Sequence, residues 1–350
     1  MSVATKDIPL RPAARLTGLT PYGTGSVRSP DALLLDANEG PSASKAWLDR
    51  LHAVDAEALR RYPEAGDLEA ALAEQFGVDA GCVVLTAGGD DAIDRICRVS
   101  LEPGRVLVVH TPTFEMITRG AMLAGAEVRA VPWMSGRFPV EAFEAAISPD
   151  TGLVAIVSPN NPTGGVVSVE DIERVCRVAR GVSAFVLVDL AYVEYADEDP
   201  TARLTEFDNV VIVRTFSKAF GLAGLRVGYA IASEPVAGWL RTVGGPYPVS
   251  APGLAVAGLA LETGVDGAYL SRIRQERSAL IDWLRGREID VQDSQANFVL
   301  ARVDADRLAN VGVVVRAFRG ELAGWARISL PGDDRLFAQL LDALAEVCGD

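Results

Sequence analysis

The segment Val210-Val-Ile-Val-Arg-Thr-Phe-Ser-Lys-Ala-Phe-Gly-Leu-Ala-Gly-Leu-Arg226 joins an apolar run to a single lysine, with an arginine eight residues further on. The β-branched residues over 210–215 are typical of a buried strand. Burial at the end of such a strand disfavours the ammonium form of Lys218, and the free amine can then attack a carbonyl group. We therefore predict that Lys218 reacts with a carbonyl compound; the alternative is a solvated charge, the commoner fate of a lysine at a strand end.

Two more strand-like runs end in polar residues. Residues 184–189 finish with Asp189, and residues 153–157 are followed by a turn that contains Asn161. In an open α/β sheet the carboxyl ends of the strands border the ligand site. The sequence therefore predicts that Asn161, Asp189 and Lys218 lie close together, although a lone Asp189 could equally cap the turn that follows it.

A fourth segment has the composition of an anion-binding turn. Residues 86–96 read Thr-Ala-Gly-Gly-Asp-Asp-Ala-Ile-Asp-Arg-Ile, and they follow an apolar run over 82–85. If a helix begins here, Gly88 and Gly89 expose backbone N–H groups at its positive end. Arg226 could add a bidentate positive charge. The alternative is that the glycines only shape a turn and that Arg226 forms a surface salt bridge.

Composition restricts the class of protein. The 350 residues carry a formal net charge of −14 with a pI near 4.7, which argues against nucleic acid or an anionic membrane as a partner. No apolar run approaches the roughly 20 residues of a membrane span, and the first residues lack the apolar core of a secretory signal. The four cysteines have no metal-binding spacing. We expect a cytoplasmic protein without a metal site.

The order of apolar runs and breakers predicts the organisation of the chain. Residues 1–41 are rich in proline and are expected to be an irregular N-terminal arm or part of a small domain. Over 42–245, strand-like runs alternate with helical patterns, which predicts a large domain with a mostly parallel sheet. After the Gly- and Pro-rich stretch at 244–250, residues 246–350 are expected to form a smaller domain with a long helix over about 265–287.

The ordered set of motifs resembles the fold-type I pyridoxal phosphate (PLP) enzymes, and within them the histidinol-phosphate aminotransferase group, along nearly the whole chain. The motifs are LTPY at 19–22, DANEGP at 36–41, RYP at 61–63, TAGGDDAI at 86–93, PTF at 112–114, NNPTG at 160–164, DLAY at 189–192, SK to R over 217–226, NF at 297–298, VR at 315–316 and RI at 327–328. The resemblance implies an α/β fold whose mostly parallel central sheet has helices on both faces, with a smaller α+β C-terminal domain.

The resemblance also implies roles for individual residues. Lys218 would carry PLP, Asp189 would keep the ring nitrogen protonated, and Tyr192 would tune the ring oxygen. The other residues implied to bind the cofactor are Gly88, Gly89, Asp90, Phe114, Asn161, Ser217, Arg226 and the Tyr62 of a neighbouring subunit. Those implied to contact the substrate are Tyr22, Asn38, Asn161, Arg316 and Arg327.

The implied activity is transamination by a homodimer with a shared active site, with histidinol phosphate as amino donor and 2-oxoglutarate and glutamate as the co-substrate pair. Three alternatives stay open: an aminotransferase for an aromatic or specialised-pathway amino acid, a PLP-dependent decarboxylase of a phosphorylated amino acid, and a non-catalytic PLP-binding protein. The sequence departs from the group's usual pattern at Leu190, Phe114 and Pro331, which affects the substrate prediction more than the cofactor chemistry.

Overall fold

The computed structural model of the protein describes residues 13–16, 19–23 and 31–349. Within these residues the strands are β1 (Leu33–Leu35), β2 (Val83–Thr86), β3 (Val106–Thr111), β4 (Glu127–Pro132), β5 (Thr151–Val157), β6 (Phe185–Asp189), β7 (Val210–Thr215), β8 (Gly228–Ala232), β9 (Phe298–Ala301), β10 (Val313–Ala317) and β11 (Ala326–Ser329). The helices are α1 (Lys45–His52), α2 (Ala56–Arg60), α3 (Gly66–Phe76), α4 (Gly89–Ser100), α5 (Glu115–Ala124), α6 (Val140–Ala146), α7 (Val169–Gly181), α8 (Thr201–Leu204), α9 (Glu234–Val243), α10 (Ala251–Thr263), α11 (Gly267–Arg285), α12 (Ala305–Asn310) and α13 (Asp334–Cys348).

The larger sheet has seven strands in the order β2-β8-β7-β6-β5-β3-β4. All neighbouring strands run parallel except β8, which is antiparallel to both β2 and β7. The strands predicted from the apolar runs are therefore confirmed, and so is the mostly parallel α/β class. Parallel strands need long crossover connections, and the intervening helices supply them.

Helices cover both faces of this sheet. Alternate residues of each central strand point to opposite faces, so β7 contributes Ile212 to one core and Val211 to the other. The core on the first face includes side chains of α3, α7 and α10, and the core on the second includes those of α4, α5 and α9. Because both faces are buried, the strands have no polar alternation, which is why they read as continuous apolar runs.

The smaller sheet has the order β1-β10-β11-β9 and packs against α11 and α13. The expectation of an irregular segment before residue 41 was wrong for β1, which pairs in parallel with β10 and places Leu35 in this second core. A strand of three residues has no periodicity of its own, and its pairing partner lies about 280 residues away in the sequence.

The helical pattern over 265–287 corresponds to α11, whose buried side chains belong to the smaller core. The preceding α10 was not predicted, because its Ala- and Gly-rich sequence has no polar face; its buried residues pack in the larger core. The division at about residue 245 stays a prediction. None of the helices in the described ranges has the length and apolar character that a membrane span needs.

Candidate active site

A cavity of about 440 Å³ lies at the carboxyl ends of β3, β5, β6 and β7 and is closed on another side by the smaller sheet. Phe114 follows β3, Asn161 follows β5, Asp189 ends β6 and Lys218 follows β7. The cavity therefore forms where parallel strands end, as the sequence predicted. Its wall contains twelve of the predicted site residues: Tyr22, Gly89, Asp90, Phe114, Asn161, Asp189, Tyr192, Ser217, Lys218, Arg226, Arg316 and Arg327.

Lys218 extends into this cavity from the turn after β7. Its Nζ donates a hydrogen bond to the carbonyl oxygen of Ala37, at 3.1 Å, and lies 5.6 Å from the centroid of the Tyr192 ring. The backbone around the lysine is tightly packed, since a Cβ built on Gly40 would lie 1.7 Å from the Lys218 carbonyl oxygen. The amine is thus held against the N-terminal segment in a partly buried position, which excludes the alternative of a fully solvated charge.

Asp189 is almost fully buried at the end of the central strand β6, with 4% of its surface exposed. Burial raises the pKa of this carboxyl from 3.8 to about 6, against the hydrogen bond from the Ala191 backbone N–H, which lowers the pKa. Asp90 raises this pKa further and Lys218 lowers it. The carboxylate would be stabilised by a cationic hydrogen-bond donor placed in the cavity.

The first turn of α4 has the open geometry that the sequence predicted for an anion-binding turn. The helix begins at Gly89, and its N-cap, Gly88, has a φ of +79° and no side chain with which to cap the free backbone N–H groups. A Cβ on Gly88 would lie 2.6 Å from Nη2 of Arg226. A side chain at this position would therefore collide with the guanidinium and cover the N–H groups that the helix dipole makes attractive to anions.

Two further side chains stand beside this turn. Arg226 donates from Nη2 to Oδ2 of Asp90 at 3.0 Å, with both side chains about half exposed. The hydroxyl of Ser217 is hydrogen-bonded to that of Thr215 at 2.9 Å. A half-exposed ion pair of this kind contributes little stability, so it leaves the guanidinium available to a stronger anion.

Arg327, on β11, faces the cavity and not bulk solvent. It is 8% exposed and donates from Nη1 to Asn161 Oδ1 at 2.6 Å and from Nη2 to the Asp36 carbonyl oxygen at 2.7 Å. Its buried Nε has no hydrogen-bond partner within the described part of the chain. Burial lowers the pKa of Arg327, which means that an anion in the cavity would relieve the desolvation of the guanidinium.

Arg316 and Tyr22 lie next to each other on the wall contributed by β10 and the N-terminal segment. The Arg316 guanidinium carbon is 5.6 Å from the Tyr22 ring centroid, and Nη1 donates to the Gly23 carbonyl oxygen at 2.9 Å. This second guanidinium is more exposed than that of Arg327. Together the two arginines give the cavity an anion-attracting side that is separate from the turn at α4.

Besides Gly88, which shapes the turn at α4, two predicted residues lie outside the cavity wall. Asn38 is fully buried, and its Nδ2 donates to the Tyr192 hydroxyl at 3.0 Å, so it contacts a wall residue from behind. Tyr62 is 77% exposed and stacks on Tyr247 with ring centroids 4.6 Å apart. The prediction that Tyr62 acts in a neighbouring subunit stays open.

The sequence interpretation missed seven residues of the wall, namely Gly23, Asp36, Ala37, Ile93, Met116, Ala191 and Thr215. Ile93 lies on α4, and nothing in the sequence indicates that this apolar side chain reaches the cavity. Asp36 and Ala37 belong to the DANEGP motif, which could have revealed them.

Comparison with known proteins agrees with this geometry. Residues 30–344 match the family model described as aminotransferase class I and II. The chain belongs to the class I and II aminotransferases. It is 35% identical over 323 residues to histidinol-phosphate aminotransferase 1 of Dechloromonas aromatica, a match that covers 89% of this chain and 88% of that protein. It is also 35% identical over 327 residues to the aromatic amino acid aminotransferase of Streptomyces coelicolor, with 88% and 90% covered.

A solved structure of the histidinol-phosphate aminotransferase of Sinorhizobium meliloti in complex with pyridoxal-5'-phosphate has a TM-score of 0.83 to this aminotransferase, at 25% identity, with 98% of each chain covered. The aminotransferase depends on PLP, and three features of its own cavity fit this cofactor. The buried carboxylate of Asp189 suits a protonated ring nitrogen, the uncapped turn of α4 beside Arg226 suits a phosphate, and the amine of Lys218 suits an aldehyde.

Proposed function

We propose that this aminotransferase moves the amino group of histidinol phosphate, or of a closely related amino compound, to 2-oxoglutarate and so produces glutamate. The observation that carries the proposal is the presence of two separate cationic regions in one cavity. Arg226 stands at the first turn of α4, where the cofactor phosphate would bind, whereas Arg316 and Arg327 come from the smaller sheet. A second anion can thus be bound by the substrate side, and both a phosphate monoester and a dicarboxylic acid meet that requirement.

The cofactor would be held by residues of the larger sheet. In this proposal the backbone N–H groups of Gly89 and Asp90, with Gly88 keeping the turn open, bind the phosphate together with Ser217 and Arg226. Phe114 packs against the ring, and Asn161 and Tyr192 hydrogen-bond the ring oxygen. Asp189 binds the protonated ring nitrogen, and the resulting ion pair offsets the burial that raises the pKa of the carboxyl.

Bound PLP supplies an electron sink that stabilises negative charge at the substrate α-carbon. As a free amine, Nζ of Lys218 would accept the proton from that α-carbon. The amine is held at the cavity wall by Ala37, so it needs no large movement to act as a base. Asn161 connects the cofactor side and the substrate side of the cavity, because its Oδ1 also accepts a hydrogen bond from Arg327.

We further propose a homodimer in which Tyr62 of one subunit completes the cavity of the other. Its 77% exposure in the single chain, for an aromatic ring stacked in a fixed orientation on Tyr247, supports a contact with a second copy. The proposal includes a cytoplasmic location and the division of the chain into residues 1–41, 42–245 and 246–350. It treats Tyr22, Asn161, Arg316 and Arg327 as the substrate side of the site.

A second candidate donor is an aromatic amino acid. Ile93, Phe114 and Met116 form an apolar part of the cavity wall, which an aromatic side chain would cover well. The similarity to the Streptomyces coelicolor enzyme, at the same identity as the Dechloromonas aromatica one, supports the same candidate. The two candidates differ in the anion that they present, a phosphate at one end of histidinol phosphate or an α-carboxylate in an amino acid.

Single-turnover spectroscopy distinguishes the candidates. The PLP-loaded protein is mixed with histidinol phosphate, histidinol, phenylalanine, tyrosine or histidine in the absence of an oxo acid, and the loss of the visible cofactor absorbance and the released oxo product are measured. We expect histidinol phosphate to react fastest and histidinol, which lacks only the phosphate, to react at least roughly tenfold more slowly, because a charge-assisted hydrogen bond contributes about 1.5–3 kcal/mol.

Each other outcome points to a different function. Faster reaction with phenylalanine or tyrosine would replace the histidinol phosphate assignment with the aromatic one. Release of carbon dioxide without any need for an oxo acid would indicate a decarboxylase. Cofactor absorbance that no amine changes would indicate a non-catalytic PLP-binding protein. Lys218→Ala should abolish both turnover and the visible absorbance of the attached cofactor, and a variant that retains both would contradict the role of the lysine.

A further inference from the structure

Tyr192 has a fixed ring and a hydroxyl whose hydrogen-bond direction is set by neighbours outside the cavity. The ring is 4% exposed and packs edge-on against Phe298, with centroids 5.1 Å apart and an interplanar angle of 86°. Its hydroxyl oxygen accepts a hydrogen bond from Nδ2 of Asn38 at 3.0 Å. Whether the phenol then donates or accepts inside the cavity depends on which end of the Asn38 amide faces it.

Ser329, on β11, decides the orientation of that amide. The backbone N–H of Asn38 donates to Ser329 Oγ at 2.9 Å, and Ser329 Oγ donates to Asn38 Oδ1 at 2.8 Å. All these groups are buried. With the amide reversed, the hydroxyl proton of Ser329 would face an NH₂ group and would lose its acceptor in a buried site, which is unfavourable. Only the observed orientation satisfies both partners.

The backbone at Asn38 is suited to this role. Its φ is +55°, a left-handed conformation that Asn, Asp and Gly adopt more readily than other residues. Asn297 holds the same segment by donating from Nδ2 to the carbonyl oxygens of Asn38 and Glu39, each at 3.3 Å. The backbone of Asn38 is therefore held by Asn297, and its side-chain amide by Ser329 and Tyr192.

We infer that Asn38 and Ser329 are positioning residues that make Tyr192 a hydrogen-bond donor toward the cavity. Because the phenol oxygen accepts from Asn38 Nδ2, its own proton is left to point to a group in the cavity, where the ring oxygen of the cofactor would be the acceptor. The inference rests on the proposed position of the cofactor, and it replaces substrate contact by Asn38 with an action through Tyr192. Two charged groups lie near this phenol: Lys218, whose Nζ is 5.6 Å from the ring centroid, and Arg327, which interacts with Tyr192 electrostatically.

The experiment reverses the polarity of the amide without changing its shape. Asn38→Asp keeps the left-handed backbone but presents a carboxylate, which accepts the Tyr192 proton and withdraws it from the cavity. Two properties are measured: the dissociation constant of PLP for the cofactor-free protein, and the pH midpoint of the visible absorbance change of the loaded protein. We expect roughly tenfold weaker binding, the equivalent of one hydrogen bond. The midpoint should rise by about one pH unit, because a donor that stabilises the ring oxygen anion is lost.

Two further variants separate polarity from simple disruption. Asn38→Gly removes the amide at a φ that glycine tolerates and leaves the Tyr192 proton free to point into the cavity, so its midpoint should move less than half as far as that of Asn38→Asp. Tyr192→Phe should reproduce the Asn38→Asp midpoint, and the double variant should not exceed Tyr192→Phe. Any of three results would overturn the inference: a wild-type midpoint in Asn38→Asp, an equal or larger midpoint shift in Asn38→Gly, or a further shift in the double variant.

A matched control and a fallback complete the design. Asn209→Asp places the same carboxylate at another buried asparagine, whose Nδ2 bonds the Cys176 and Ala184 carbonyl oxygens; it should lower the thermal midpoint without moving the absorbance midpoint. If Asn38→Asp does not fold, Ser329→Ala decides, since it frees the amide to turn: a midpoint shifted upward supports the inference and an unchanged one overturns it. Wild-type protein that shows the cofactor absorbance but transfers no amino group would refute the proposed function and leave this test valid.

Discussion

Replacing Asp189 with asparagine should stabilise the cofactor-free protein but lower the activity of the PLP-loaded enzyme. Burial raises the pKa of this carboxyl from 3.8 to about 6 in the folded protein. Each pKa unit corresponds to about 1.4 kcal/mol, so at neutral pH the buried charge destabilises the cofactor-free fold by about 3 kcal/mol. The new amide would keep the hydrogen bond from the Ala191 N–H, but its NH₂ group would need a partner, at a cost of about 1 kcal/mol. We expect a net gain of about 2 kcal/mol.

The sign of the pH dependence provides the sharper test. The folded pKa lies above the unfolded one, so the folded state binds more protons between pH 4 and 6, and the stability of the wild type falls as the pH rises through this interval. Above pH 6 the loss is complete. The free energy of unfolding of Asp189→Asn should therefore equal or fall below that of the wild type near pH 4 and exceed it by about 2 kcal/mol at pH 7 to 8.

The assay is urea unfolding of both cofactor-free proteins at several pH values, with Asp293→Asn as a surface control because its side chain is 87% exposed. With PLP and both substrates present, kcat of Asp189→Asn should fall by roughly 100-fold or more, since a neutral partner leaves the ring nitrogen unprotonated. A stability difference that does not change between pH 4 and 8 would refute the argument, and so would a destabilised variant at pH 8.

Three further predictions concern the turn at α4, a buried histidine of β3 and the substrate side of the cavity. Gly88→Ala should weaken PLP binding at least roughly tenfold, because its Cβ would lie 2.6 Å from Arg226 Nη2. Gly104 has a comparable positive φ, but a Cβ there would meet no atom of the described residues within 4 Å, so Gly104→Ala should cost only the backbone strain of about 1–2 kcal/mol and leave PLP affinity unchanged. Isothermal titration with PLP checks both variants. Burial lowers the pKa of His110 from 6.5 to about 4, so the wild type loses about 3 kcal/mol of stability as the pH falls through that interval. His110→Gln should therefore reduce the dependence of the free energy of unfolding on pH. Urea unfolding at pH 4 to 7 that gives the same pH dependence for both proteins would contradict this. Arg327→Lys should raise KM for 2-oxoglutarate at least roughly tenfold with little change in PLP affinity. The reason is that an ammonium group cannot donate to Asn161 Oδ1, the Asp36 carbonyl oxygen and an anion in one plane, as a guanidinium can. An unchanged KM would mean that the oxo acid binds elsewhere.

The chemistry of the larger sheet was predictable from sequence because it depends on local order. Each buried strand is a short apolar run, and the residue that follows it is at the ligand edge by the geometry of parallel sheets. This is why the order of residues along the chain is enough to group Asp189, Asn161 and Lys218. The turn at Gly88 was also predicted, because two glycines follow an apolar run and precede a helical pattern.

The smaller sheet was less predictable because its pairing is nonlocal. The three residues of β1 acquire a strand conformation only by lying beside β10, and Arg327 could not be assigned to the cavity or to solvent from alternation alone. For the apolar helix α10, the sequence did not indicate whether its side chains pack in the larger or the smaller core. Tyr62 stacks on Tyr247 but stays exposed, so its role in a neighbouring subunit is still a prediction.

The amino-acid sequence by itself determined the buried strands of the larger sheet and the candidate lysine, because these depend on residue type and spacing along the chain. The cofactor class followed from the resemblance of the ordered motifs to the PLP enzymes. Only the tertiary structure decided that Arg327 enters the cavity, that Asp189 loses its hydration, and that Asn38 hydrogen-bonds Tyr192. Those properties arise from burial and from contacts between residues hundreds of positions apart, such as Asn38 with Ser329. Periodicity and propensity carry no information about which distant side chain will satisfy a buried hydrogen bond.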